Sequence, residues 1–307
     1  MQFGGFFRER SLYARPWAVR GYRALRRAAA AAGFDVVLKT FYSPIPEISQ
    51  LPAGTLDRVS PLAGVALDLD AQLDWMERDL AAPMRELRPP AAGTAGPHVY
   101  ARGTVSYTLL DATILYGMLR WLRPRRMIEL GSGASTLVSA QALRANAAAG
   151  APARLDVYDP YPGVVTDGLG GLVRLHPTRA QDVPLAAFDS LEAGDVLFVD
   201  TTHTVKLGSD VNFVVLDVLP RLAAGVVVHV HDVFLPYEYP RQWIEDFALY
   251  WTEQYLLQAF LAHNADWEVM CSIVALARGR HARLQALLPD GVPAADGSAF
   301  WMRRRAG

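Results

Sequence analysis

Two clusters in this 307-residue chain combine residue types and spacings that can do chemistry. The first starts with Glu129-Leu130-Gly131-Ser132-Gly133-Ala134-Ser135-Thr136, an apolar run closed by two glycines ahead of a helix start near Ser135. Glycine lets the backbone turn tightly and come close to a ligand, and a helix start offers free amides. A nucleotide-like ligand suits such a loop. The dinucleotide fingerprint needs a third glycine where Thr136 stands, which argues against a pyrophosphate. Asp159, 28 residues after Gly131, closes the next apolar run, where a carboxylate can accept from both hydroxyls of a ribose. Asp182, in Ala180-Gln181-Asp182-Val183, is placed to accept from the exocyclic amine of an adenine. With Glu129, these acids favour a ligand with an amine and a ribose but no phosphate. The competing reading makes Asp159 a turn residue and Asp182 a helix cap.

The second cluster is Asp200-Thr201-Thr202-His203 with Lys206, and His231-Asp232 at the end of a later run. Asp200 and Asp232 offer hard oxygen ligands to a divalent ion such as Mg or Mn. His231 would bring an imidazole, which suits Mn, Fe or Zn better than Mg. The alternative is a carboxylate with an imidazole partner and no ion. A histidine with an ordinary pKa near ~6.5 makes His203 a candidate to deprotonate a hydroxyl, with Lys206 as the alternative base. The bland reading of His203 is a hydrogen-bonded loop histidine. His229 reads as core.

These residues need a scaffold that brings the ends of separate runs together. The runs are residues 127–130, 155–159, 172–176, 195–200, 226–232 and 267–276, with helical stretches between most of them, and a last run, 298–304, reads as a closing antiparallel strand. That rhythm predicts an α/β fold with a Rossmann-like, doubly wound, mostly parallel sheet. Upstream, the pattern predicts a basic helix over 17–32, a short strand over 35–42 and helices over 69–87 and 107–122. A Pro/Gly loop over 89–103 suggests the division 1–104, an N-terminal addition, and 105–307, the main domain. The aromatic segment after Phe234 reads as a pocket-walling loop, with Tyr237, Glu238 and Arg241 for polar contacts. Trp243, Phe247, Tyr250, Trp251 and Tyr255 follow at the spacing of a buried helical stripe. The loops 234–240 and 89–103 are candidate lids.

Taken together, IELGSGAST, DVYDPYP, AQDV, DVLFVDTTH, HVHDVFLP and SAFWMRR resemble the class I S-adenosylmethionine-dependent methyltransferases, and among them a bacterial branch related to the cephalosporin hydroxylase and macrocin O-methyltransferase group. The resemblance spans about residues 105–306. It implies that Glu129, Gly131, Ser132, Gly133 and Ser135 lie about the methionine part of S-adenosylmethionine, Asp159 at the ribose and Asp182 at the adenine. In the similar catechol O-methyltransferases a divalent ion is held where Asp200 and the His231-Asp232 pair stand, and a catalytic lysine occupies the place of His203. A base and a Lewis acid suit an oxygen acceptor, so the expected activity is O-methylation of a small-molecule or glycan hydroxyl. The rivals are a metal-dependent hydroxylase-like enzyme on the same fold and a non-catalytic, cofactor-binding scaffold.

Composition narrows the partners. Thirty Lys+Arg against 31 Asp+Glu give a net charge of −1, with no bulk attraction for a phosphate backbone, so no nucleic acid is expected. The single cysteine, Cys271, excludes an internal disulfide and suits a reducing, cytoplasmic setting. The greasiest stretch, 222–235, carries His229, His231 and Asp232, and no transmembrane segment is expected. The start of the chain does not read as a secretory signal. Its basic helix, with Arg20, Arg23, Arg26 and Arg27 on one side, suggests peripheral contact with an anionic membrane or, more blandly, a solvated arginine face. The sequence does not address the oligomeric state.

Overall fold

The computed structural model describes residues 15–94, 96, 98–163 and 169–306. Arg8 and Arg10 of the basic preface and part of the 89–103 loop lie outside them. By contacts the chain divides into two units, Met1–Thr55 and Leu56–Gly307.

In the first unit the described residues form one long helix, α1 (Pro16–Ala31), with Pro16 in its first turn, and 3-10 turns at Ile48–Gln50 and at Thr55. The expected strand over 35–42 does not form. Residues 34–39 have no regular structure and 40–42 lie in a turn, with no ladder to any described residue, and Phe34, Val37 and Phe41 stay exposed. A β-branched run alone does not make a strand when no neighbouring backbone is there to pair with it.

The second unit is built on a seven-stranded sheet ordered β3-β2-β1-β4-β5-β7-β6. Its strands are β1 (Arg126–Leu130), β2 (Arg154–Tyr158), β3 (Val173–His176), β4 (Val196–Val199), β5 (Val227–Val230), β6 (Trp267–Ser272) and β7 (Phe300–Arg304). β1 to β5 pair parallel, and β7 is antiparallel to both β5 and β6. This is the doubly wound order with an antiparallel strand inserted between the fifth and sixth. The run 267–276 is only part strand: the N–H of Ile273 donates to Ala299 O, and a helix begins at that residue.

Side chains alternate between the two faces of the sheet, and each face has its own core. Met127, Val196 and Phe198 pack on one side, with α2 (Leu69–Trp75), α3 (Leu109–Leu122), α4 (Ala134–Ala148), α9 (Ile273–Gly279) and α10 (His281–Leu287). Ile128, Leu197 and Val199 pack on the other, with α5 (Leu185–Asp189), α6 (Asp210–Asn212) and the π turn that follows it, and α8 (Glu253–Leu261). A short α7 (Arg241–Glu245) precedes α8. The expected helix over 69–87 is α2 continued through a π turn at Met76–Leu80 and a last turn at Ala81–Met84. Its Met84 packs so closely on Gly117 of α3 that a Cβ there would lie 2.6 Å from Met84 Cγ. Residues on both sides of the 89–103 loop therefore belong to one core.

Register places the chemistry. Leu130 pairs with Tyr158 and Val199, and Val199 with Val230, so the residues that follow these strands emerge along one carboxyl edge. Backbone bonds seal the edge: Gly131 N to Tyr158 O, Asp200 N to Leu130 O and His231 N to Val199 O. The antiparallel β7 brings its own entry to the same place, where Val233 N donates to Ser298 O.

Candidate active site

The glycine loop fits the sequence expectation closely. Gly131 has φ +94°, and a Cβ on it would fall 2.1 Å from the carbonyl oxygen of Asp200, so only glycine lets the ends of β1 and β4 come this near. Ser132 Oγ donates to Asp159 Oδ2 at 2.5 Å, and Tyr161 N donates to Asp159 Oδ1 at 2.7 Å. The carboxylate after β2 is thereby aimed back at the glycine loop.

Glu129 is fully buried, and one of its oxygens, Oε1, accepts from Ser135 Oγ (2.7 Å) and Thr136 Oγ1 (3.0 Å). Its other oxygen, Oε2, has no partner. Burial pushes the carboxyl up, the two hydroxyls pull it partly back and the charges of Asp200 and Asp159 add to the rise, leaving a pKa of about 8. Ser135, expected about the ligand, has its hydroxyl turned inward to Glu129. Asp182 is exposed in the turn after β3, with both oxygens on the Arg179 guanidinium at 2.7 and 3.2 Å. Its side chain is committed to that arginine.

The second cluster converges. Asp200 Oδ1 lies 3.2 Å from His203 Nε2 and Asp200 Oδ2 lies 3.6 Å from His231 Nδ1. Asp232 Oδ1 is 3.6 Å from His231 Nδ1, and Asp232 Oδ2 is 3.8 Å from His203 Nε2. Burial would raise the carboxyl of Asp200, yet the charges of His231 and His203 overcome it and hold it at about 2. Both His203 and Asp232 sit in the left-handed region, at φ +55° and +54°, a conformation that surrounding contacts must enforce.

His203 is clamped on both nitrogens. Opposite Asp200, its Nδ1 lies 2.8 Å from Glu253 Oε2, while its ring packs on Trp251 at 4.3 Å. Burial lowers an imidazole's pKa, but the two carboxylates outweigh it and raise His203 to about 10. An ordinary imidazole near 6.5, as expected from the sequence, is thus not what the fold provides. Lys206 is exposed on the loop that follows, its backbone tied to Ser209 and Asn212.

His231 is buried between two sets of acids. Nε2 faces Asp111 Oδ2 (3.5 Å) and Ser298 Oγ (3.4 Å), and Nδ1, between Asp200 and Asp232, has no hydrogen-bond partner. Burial depresses the imidazole and Asp200 and Asp111 restore it, so its pKa rises to about 9. Among the described residues, Asp200, His231 and Asp232 each offer one ligand atom within 4.8 Å of the others. Two carboxylate oxygens and an unpartnered imidazole nitrogen are a donor set that fits a divalent ion, with Asp111 and Ser298 as the outer contacts that fix the ring. His229 is core: it stacks on Phe198 at 4.2 Å and against Trp301 at 4.6 Å, and burial drives its pKa well down.

Sequence reasoning missed four contributors. Asp111 was legible as the acid of a Thr108-x-x-Asp111 helix start, but not its bonds from Ser298 N and Ala299 N, which come from the far end of the chain. Glu253 and Ser298 carry no local signal. Tyr107 is fully buried with its hydroxyl unpartnered and its ring 4.8 Å from that of His231, and burial together with Asp111, Asp200 and Glu129 keeps the phenol neutral.

The aromatic segment departs from expectation. The chain leaves helix between Glu245 and Glu253, with Ala248 at φ +53°, so no continuous stripe forms and Phe247 is 58% exposed. Trp243 and Trp251 meet edge to face at 4.9 Å instead. The proposed polar contacts are engaged elsewhere: Arg241 with Asp57 and Glu245, Glu238 with Tyr255, and Tyr237 under Arg278.

The stretch from β1 to just past Asp232 matches a known domain. Residues 128–233 fit the family model described as a methyltransferase domain. The match includes the glycine loop, Asp159, Asp200, His203 and the His231-Asp232 pair. No curated protein matches the chain significantly. A solved structure labelled cmcI-N160 SAH is 16% identical, with 72% of this chain and 98% of that one covered and a TM-score of 0.38. Another, from Thermobifida fusca YX and described as a methyltransferase by inference, is 14% identical over 84% of this chain and 100% of that one, at a TM-score of 0.35. Likeness at those scores bears on neither the fold nor the activity here; the strand order and the matched domain stand without it.

Glu129 gives this edge a pH signature. A carboxyl raised from its ordinary value near 4.5 to about 8 favours the folded state while protonated, so that contribution is complete below 4.5 and is lost as pH rises through 8. Melting temperature should therefore fall between pH 5 and pH 9, and Glu129→Gln, neutral throughout, should flatten the decline; an unchanged slope in the variant would place the titration elsewhere.

Proposed function

We propose that the carboxyl edge of the sheet binds S-adenosylmethionine and that the chain transfers its methyl group to an oxygen, the hydroxyl of a small molecule or glycan, with help from a divalent ion. The observation that carries the reading is the convergence of unmet polar valence on one edge. Glu129 Oε2, Tyr107 OH and His231 Nδ1 are buried without partners, beside a loop that only glycine can form. Buried polar atoms are rarely left unpaired, and a cluster of them marks where a ligand completes the bonding. The matched methyltransferase domain supports S-adenosylmethionine as that ligand. The finer kinship with the cephalosporin hydroxylase and macrocin O-methyltransferase group belongs to the same proposal.

When bound, S-adenosylmethionine supplies a sulfonium methyl and the ion supplies Lewis acidity toward the acceptor oxygen. The residues that would hold the first are Gly131, Ser132 and Gly133 through their backbone, Asp159 at the ribose hydroxyls and Glu129 below the loop. Asp182, whose oxygens each accept one bond from Arg179, keeps acceptor capacity for an adenine amine. Asp200, His231 and Asp232 would be the donors for the ion, Mg or Mn, with the imidazole favouring Mn; raised to about 9, that imidazole would have to give up its Nδ1 proton to bind it.

His203 manages the proton. Glu253 holds Nδ1, which fixes the ring and leaves Nε2 as the face toward Asp200 and Asp232. At neutral pH that ring is charged, so it accepts the acceptor's proton only after releasing its own, and activity should rise at alkaline pH. Lys206 is the alternative base, on an exposed loop.

Two measurements test this. Calorimetry with S-adenosylhomocysteine should give binding to the wild-type chain and a roughly ten- to hundredfold loss for Asp159→Ala, as for removal of a charged acceptor; equal affinity in both would show that the ribose site is misassigned. In methyl-transfer assays the alkaline rise should move to lower pH in Glu253→Gln, because the imidazolium loses a stabilising carboxylate. A midpoint that stays put would remove His203 from the role and leave Lys206 to be substituted next.

A further inference from the structure

We infer that the first unit is a docking surface for an anionic lipid bilayer, with α1 lying along the headgroups. This goes beyond the methyl-transfer reading and does not depend on it. None of the described residues 15–55 is buried. The unit nevertheless carries large apolar side chains: Trp17 is 65% exposed, Leu25 54%, Phe34 69% and Phe41 89%, with Val37 and Ile45 also open. The described part of the unit encloses no core, and exposed apolar surface of this kind marks contact with something else.

The charge pattern names the partner. At 100° per residue, Arg20, Arg23, Arg26 and Arg27 fall within about a third of the circumference of α1, while Trp17, Gly21, Leu25 and Ala28 lie on the opposite side. Residues 15–55 hold five arginines and one lysine against two acids, Asp35 and Glu47, in a chain that is otherwise slightly acidic. A cationic face opposed to an apolar face with a tryptophan is the arrangement of a helix that rests in a membrane interface, its arginines reaching anionic headgroups. Sixteen residues make a rod of about 24 Å, long enough to lie along a surface. Two other occupants fit less well. A second copy packed on the apolar face would leave the four arginines, on the opposite side, without a counter-charge, and a nucleic acid would find no use for the aliphatic Leu25, Val37 and Ile45. Among the described residues no helix is long and apolar enough to cross a membrane, so contact would be peripheral.

Flotation of the full chain with phosphatidylcholine vesicles, with and without phosphatidylglycerol, tests the inference. Binding should require phosphatidylglycerol, weaken with added salt and fall at least about tenfold when Arg20, Arg23, Arg26 and Arg27 are all replaced by glutamate. Leu25→Asp, on the opposite face, should weaken it independently of salt. These positions are exposed, and circular dichroism would confirm that the variants remain folded. Binding that ignores the anionic lipid, or survives charge reversal, would overturn the proposal. So would a failure to float combined with either dimerisation lost in Leu25→Asp, which assigns the face to a second copy, or retention of single-stranded RNA.

Discussion

The contact between Asp200 and two histidines organises the active edge. Two carboxylates at the ends of β4 and β5, each within 4 Å of both His203 and His231, can share a mostly buried site with them only if charge is matched. Matching lowers the carboxyl of Asp200 and raises both rings, and each shift depends on the others. The array also holds backbone. His203 and Asp232 occupy left-handed conformations, and Gly131 must stay bare for the carbonyl of Asp200 to sit where it does. Outer acids complete the arrangement: Glu253 secures His203 from α8, and Asp111 secures His231 while binding the entry to β7.

One consequence is that the two histidines are not equivalent. Both nitrogens of His203 have carboxylate partners, which suits a group that holds and passes a proton. His231 has its outer nitrogen occupied and its inner one unmet, which suits a ligand. The same residue type thus meets two different surroundings, and the ring of Tyr107, its phenol neutral, packs on that of His231.

Much of this could be read from residue order because a doubly wound sheet converts it into position. Once β1, β2, β4 and β5 are recognised from their short apolar runs, the residue after each is placed on one edge without further information. That is why Gly131, Asp159, Asp200 and His231 were legible. The misreadings arose where local pattern met a non-local decision. Residues 35–42 look like a strand but join no ladder of the described residues, and the run after Trp267 turns to helix at Ile273, whose N–H still donates to Ala299 O. Asp182 follows β3 as its place in the sequence implied, and its carboxylate there pairs with Arg179, three residues earlier, a contact the residue order did not announce. Glu253 and Asp111 reach the site across 50 and 120 residues of sequence, and no spacing rule announces them.

The central claim is that S-adenosylmethionine binds across the glycine loop of this edge, over Glu129 and Asp159. A crystal structure of the chain grown with S-adenosylhomocysteine tests it most directly. The account predicts the nucleoside across the glycine loop, with its ribose hydroxyls on Asp159 and its amino acid end toward Glu129. A ligand bound elsewhere, or an edge still empty at saturating concentration, would contradict it.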